Sequence, residues 1–488
     1  MLLVGGSRLV AQKIPTKGVP LIKNYAPLQY GDAGKAWSVR SAANGIVYFA
    51  TDGGLLEFDG RQWQRFKGSE GFTRSLYIDS DSLLQTGADK DFGTWRRDSL
   101  GEFHFSSLNP FRESTKGPNE QFWGTYKIGG HPIFVSFDNI YVYQGHQLTK
   151  IAAPNRFSTS FMANEKLYLV DEKSGLFEFD GINLIPAFRF PSSSPPLQII
   201  GAHEFAGEML IVTRGQGLFR ISNGALIPFA AEVSSYLKKD QVFCFTPIDD
   251  THYAFGTILN GVYITDLQGR MIQHINKRKG LLNNTILSIH YSKQGKLWLG
   301  LDFGITSIDL WSDVAYFLDR AGATGTGQQG LLYQGVFYLG TNQGLYTVNW
   351  QRLNNDVTVP QFTLISGSSG QVWSLKIIEN QVFCGHDRGL FKIVGNRLIQ
   401  VYDEAGVLSI KQLDRNRLLT GNYNGVSLFE KKDGQWAFAR KISPIQGAVS
   451  QLFQQGDNTL WVNLPNFGII KASLDQDFFI TDQQIFTN

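Results

Sequence analysis

Cysteine is almost missing from this chain: Cys244 and Cys384 are its only two, and they lie 140 residues apart. That spacing offers no disulfide framework, so two unpaired, buried strand residues are expected. Methionine, at 4, and proline, at 16, are also sparse for 488 residues. No apolar run approaches the roughly 18 residues that would span a bilayer. No block of five or more like charges occurs, and 45 basic residues are mixed among 42 acidic ones. A nucleic-acid or membrane-surface footprint is therefore not indicated.

Local catalytic and metal-binding patterns are missing as well. The eight histidines form no H-x-x-x-H or H-E-x-x-H pair, which removes the helix-borne zinc site. There is no G-x-S-x-G elbow and no D-x-D-x-D-G calcium loop. One G-x-G-x-x-G occurs, Gly325 to Gly330, but "LLYQGVFYLGT" follows it and reads as strands. A dinucleotide fingerprint needs a helix there, so a linker is the better reading. No catalytic residue, metal or cofactor is expected.

What the chain has in plenty is glycine, at 52, and aromatics, at 13%. With 42% apolar and 18% charged residues it can bury a large core, and the balance favours β structure with many tight turns. The stretch "GKLWLGLDFGITSIDL" (Gly295–Leu310) shows how they are arranged: an apolar strand with an aromatic, a polar pair, a glycine, a second strand. Copies recur along the whole chain, with turn positions at Gly54, Gly93, Asn139, Gly175, Gly217, Gly261, Gly304, Gly344, Gly389, Gly425 and Gly468. The ten steps average about 41 residues and range from 36 to 46. Glycine, or once asparagine, at a fixed hairpin position fits a residue held at positive φ.

Each unit has room for two further strands, such as "NTILSIHYS" (Asn284–Ser292) before the hairpin. Four short strands per repeat is the arithmetic of a propeller blade. One short helix is expected, at Ala230–Asp240. The fold class expected is all-β: a β-propeller of four-stranded antiparallel blades. Rings close at about four to eight blades, so eleven copies read as one seven-bladed ring plus a partial second ring of about four. Residues 12–320 form the first ring, 321–488 the second, and Ala321–Gly330 serves as their junction. Residues 1–11, "MLLVGGSRLVA", resemble the end of a secretory signal; a frayed terminus fits them equally.

A propeller gathers loops from every blade at its axis. Trp298 and Trp461 share one repeat position and are expected to pack between blades. Trp37, Trp123 and Trp373 precede their hairpins, at or near the innermost strand. There a flat ring can stack on a sugar or a peptide side chain, or simply fill the taper between blades. His386 and Arg388 join these three as candidate ligand-binding residues because ionisable groups replace the usual polar turn pair. An exposed hairpin tip accounts for them too.

The segment "GLLNNTILSIHYSKQGKLWLGLDFGITSIDL" (Gly280–Leu310) closely resembles the two-component-regulator propeller repeat. Weaker copies extend the likeness from about Tyr25 to Asp477. The "LWLGLDFGI" variant is similar to sensors of Bacteroidota in which paired propellers precede a triple-tyrosine domain. The resemblance implies a non-enzymatic, exported ligand-sensing module of the periplasm or cell surface, often for carbohydrate. It implies a small-molecule or oligosaccharide partner, with a rearrangement of rings or of a homodimer as the response, and membrane contact only through segments outside this sequence. Later blades, the triple-tyrosine module and an output domain are missing, which suggests a fragment. The rival reading is a secreted propeller enzyme, a lyase or glycoside hydrolase, with acid and base gathered at the axis; a protein-interaction scaffold is the third.

Overall fold

The repeat folds as sequence periodicity suggests, eleven times over. A computed structural model describes residues 14–68, 71–111, 120–145, 147–190, 196–205, 207–316, 324–353 and 362–487. It places eleven antiparallel sheets in a chain that divides into two compact units at residues 317 and 318. The signal-like residues 1–11 lie outside the described part. The one α-helix among the described residues, Ala231–Asp240, falls where it was expected.

The first unit holds seven sheets. Their innermost strands are Ala36–Ser41, Thr73–Ser80, Gly124–Ile128, Phe157–Ala163, Ile199–Phe205, Val242–Pro247 and Ile286–Tyr291. The seventh sheet is completed from the other end of the unit. Val19–Tyr25 pairs antiparallel with Ile305–Asp309, in the register Leu21 to Asp309 through Tyr25 to Ile305. Asn24 clamps this join: its amide donates to Gly280 O at 2.7 Å and its oxygen accepts from Thr306 Oγ1 at 2.7 Å. The two ends of the ring are thus held in one sheet. The second unit stacks four sheets in series, with innermost strands Gly327–Tyr333, Val372–Ile378, Ser409–Gln412 and Gln451–Gln455.

Neighbouring sheets are joined by their apolar faces. Tyr25, Phe49, Phe58 and Trp298 form one such seam between the seventh and first sheets. Trp298 is buried there, its ring 5.8 Å from those of Phe49 and Phe58, as its repeat position implied. Trp461 differs. It is half-buried and stacks at 6.0 Å on Phe486 of its own sheet, the last of the chain.

The glycine positions have two causes rather than one. Nine of the eleven turn residues sit at positive φ, Gly54 at 109° among them. Gly93 does not; a Cβ there would run into the Ser106 carbonyl oxygen of the outer strand. Asn139 also keeps an ordinary φ and instead bonds Glu120 through its side chain. The run Gly325–Gly330 is only partly a junction, because Gly327–Tyr333 is the innermost strand of the next sheet. Both cysteines are free, and Cys384 is buried, but Cys244 is only partly so.

Candidate functional site

The innermost strands share a local irregularity that builds the site. In six of the seven sheets of the first unit the ladder slips by one residue near the start of this strand. The residues inside the slip are Trp37, Arg74, Ser158, Ile200, Phe243 and Leu287. A bulge re-aims its extra side chain out of the alternating pattern. In the third sheet Trp123 takes the same place, directly before the strand Gly124–Ile128. All seven of these side chains line one cavity of about 380 Å³. With one wall from each sheet, it lies on the axis of the ring.

The residue after each of these is small: Ser38, Ser75, Gly124, Thr159, Gly201, Cys244 and Ser288. Several of these side chains tie one sheet to the next. Ser75 Oγ donates to Phe122 O at 2.8 Å, and Ser288 Oγ donates to Ala36 O at 2.8 Å. Cys244 makes the same link more weakly, its sulfur 3.8 Å from Ile286 O. Burial in this seam pushes its thiol pKa well up, so it remains a protonated, unreactive group.

Trp37 and Trp123 are brought together at this cavity, their ring centroids 5.5 Å apart and nearly perpendicular at 89°. The Arg74 guanidinium lies against both, 4.6 Å from the Trp37 ring and 4.7 Å from the Trp123 ring. It is fixed by a two-pronged bond to Asp89, at 2.9 and 3.1 Å. Trp37 Nε1 donates to Asp52 Oδ1 at 2.6 Å, and Trp123 Nε1 to Gln121 Oε1 at 3.2 Å. Each indole therefore has its polar edge engaged while the ring stays half-buried at the cavity. Phe137, under the Arg156 guanidinium at 4.8 Å, extends the aromatic rim, as does Phe243, 5.5 Å from Arg214.

The other three candidates lie in the second unit. Trp373 occupies the matching slip of its strand, between Val372 and Ser374. Its Nε1 donates to Tyr423 Oη at 3.0 Å. His386 is not at an exposed tip; its side chain is fully buried, and Nε2 donates to Ser368 O at 3.2 Å. Arg388 spans the neighbouring turn, donating to Gly367 O at 2.7 Å and Ser369 O at 3.2 Å. A cavity of about 330 Å³ in this unit, lined by residues such as Glu379, Lys392 and Trp436, includes none of the three.

The lining of the axial cavity contains aromatic, aliphatic and hydroxyl side chains and three arginines: Arg40, Arg74 and Arg214. Among the described residues that line it there is no aspartate, glutamate or histidine. The arrangement can stack on a flat ligand, hydrogen-bond it and attract negative charge. Among the described residues no group of three or more His, Cys, Asp or Glu side chains is placed to hold a metal ion. Of the residues lining this cavity, sequence reasoning singled out the two tryptophans by residue type and did not single out Arg40, Arg74 or Arg214. For Arg74 the available signal was positional, the residue before a Ser, Gly, Thr or Cys early in the first strand of each repeat; Arg40, further along its strand, and Arg214, after the second strand of its repeat, do not carry it.

Neither a protein-family model nor a curated protein sequence matches this chain. Solved structures do match. The extracellular domain of the hybrid two-component system BT3049 from B. thetaiotaomicron is similar with a TM-score of 0.63 and 17% identity, over 96% of this chain and 73% of that one. The extracellular domain of the one-component system BT4673 from the same organism matches with a TM-score of 0.47 and 17% identity over the same shares. Virginiamycin B lyase from Staphylococcus aureus matches at 0.45 and 11%, over 59% of this chain and 98% of that one. The chain is a β-propeller protein, similar in fold to the extracellular domain of the hybrid two-component system BT3049.

Proposed function

We propose that this chain is an exported, non-enzymatic ligand-sensing module, and that the axial cavity of its seven-sheet unit is where the ligand is held. One observation carries the reading: Trp37 and Trp123 meet at a cavity walled by all seven sheets. Paired aromatics beside hydroxyl groups suit the apolar faces and hydroxyl rims of a saccharide. The fold likeness to an extracellular sensor domain supports export and sensing. That none of the described lining residues is a carboxylate or a histidine supports binding over lyase or hydrolase chemistry. Sensing would then be a population shift: ligand favours one arrangement by no more than its differential affinity for the two states.

The test is a thermal-shift screen of the chain against neutral and acidic oligosaccharides, run beside the Trp37→Ala/Trp123→Ala double variant. A ligand that binds only the folded state raises its melting temperature. At least one saccharide should stabilise the native chain and lose about tenfold or more in affinity in the variant, as stacking worth ~1.5 kcal/mol implies. Equal shifts in both proteins, or none in either, would defeat the reading.

A further inference from the structure

Of the three arginines in the axial cavity, Arg40 is the one with neither a carboxylate nor an aromatic ring against its guanidinium among the described residues. Arg74 is answered by Asp89. Arg214 lies against the Phe243 ring. Arg40 makes one hydrogen bond, from Nη1 to Val39 O at 2.8 Å, within its own strand, and among the described residues no carboxylate pairs with it. Its side chain is exposed where it lines the cavity, so a ligand can meet the guanidinium without displacing a protein partner. Arginine does not give up its proton, so the charge remains. The titratable groups that feel it do not offset it. His290 is kept neutral, its pKa drawn down to about 3 by burial and then by Arg40, and the Tyr126 hydroxyl donates to Ser160 O at 2.7 Å.

A guanidinium that lines a cavity with no carboxylate among the described lining residues is free to take an anionic ligand. Arginine is also the side chain best shaped to grip a planar or tetrahedral oxyanion with two parallel bonds. We propose that the axial cavity takes a ligand bearing an oxyanion, a carboxylate, sulfate or phosphate, held by Arg40 with the rest of the ligand at the Trp37–Trp123 mouth. Arg40 lies three residues beyond Trp37 on the strand Ala36–Ser41, roughly 10 Å along it. The hydroxyl of Ser38, which also lines the cavity, lies between them in sequence. The inference rests on the reading above for the part of the ligand at the mouth, and on Arg40 alone for the anion.

The experiment compares the chain with Arg40→Met and Arg40→Lys by thermal shift and calorimetry at constant ionic strength. Sulfate replaces chloride in one arm, and glucuronate replaces glucose in the other. Sulfate stabilises most folds by exclusion from their surface, and that part appears equally in Arg40→Met, so the difference between the two proteins is the readout. The native chain should bind sulfate or glucuronate about tenfold or more tightly than Arg40→Met, with Arg40→Lys between them. In chloride alone Arg40→Met should melt no lower than the native chain, because the lost charge had no partner; a merely structural arginine would lower it. An Arg40-dependent shift in either arm supports the proposal and says whether a free anion or a sugar acid is held. Trp37→Ala should leave the sulfate arm unchanged, so failure of the stacking site and failure of the anion site read out separately. Equal binding by the native chain and Arg40→Met in both arms overturns the proposal.

Discussion

Gly54 and Gly93 occupy one repeat position for different reasons, and both should be intolerant of a methyl group. Gly54→Ala forces a side chain to φ of 109° and into the Phe66 carbonyl oxygen. Such backbone strain costs about 1–3 kcal/mol. Gly93→Ala meets no φ penalty but drives a Cβ into the Ser106 carbonyl oxygen, an overpacking cost of the same order, about 1–3 kcal/mol. Urea midpoints of the two variants should fall by similar amounts; an unchanged Gly93→Ala would show that the contact with the Ser106 carbonyl does not require glycine at that position. His290 gives a pH signature. Its pKa lies near 3 in the fold against 6.5 when free, from burial first and Arg40 second. Below pH 6.5 the unfolded chain takes up that proton and the fold does not, so stability held above 6.5 is lost as pH falls toward 3. Stability should therefore fall less steeply between pH 6.5 and 4 in His290→Gln than in the native chain, and equal slopes would refute the assignment.

The strand Val19–Tyr25 is the closure of the first ring, since it lies in sheet with Ile305–Asp309 from the far end of the unit. Tyr25, 5% exposed, stacks at 6.1 Å on Trp298 and packs on Phe58 in the seam with the first sheet. Chain shortened to begin after Tyr25 should lose at least about 3 kcal/mol, the scale of deleting one large buried side chain, measured by urea denaturation. An unchanged midpoint would mean that the ring holds without this strand. The repeat was legible because its signal is local: a hairpin glycine such as Gly304, between two apolar strands, restricts residue choice wherever it occurs. Trp37 and Trp123 were legible by type, since large aromatics early in an innermost strand have few alternative places. Arg40 was not. Arginine is ordinarily a solvated surface residue, as Arg40 is, and only the joining of seven sheets into one unit makes that surface the wall of a cavity. His386 misled for the same reason, because the loop Ser366–Gly370 that covers it comes from earlier in the chain and bonds it through Ser368 O.

At the scale of the molecule, a propeller places its variable residues on the axis and its repeated ones in the seams between sheets. The first unit uses its repeated positions, Trp298 and the small residues after each bulge, for construction. Its bulged positions differ from sheet to sheet and wall the cavity of about 380 Å³. The second unit has the same strand plan, but its last sheet leaves Phe453 at 62% and Phe467 at 51% exposure. Hydrogen–deuterium exchange of the chain, with and without the saccharide that stabilises it most in the thermal screen, tests the central claim most directly. The account predicts new protection concentrated in Ala36–Ser41, Thr73–Ser80 and Gly124–Ile128, the strands that carry or adjoin Trp37, Arg40, Arg74 and Trp123. Protection confined to the second unit, at Val372–Ile378 or around His386 and Arg388, would contradict it.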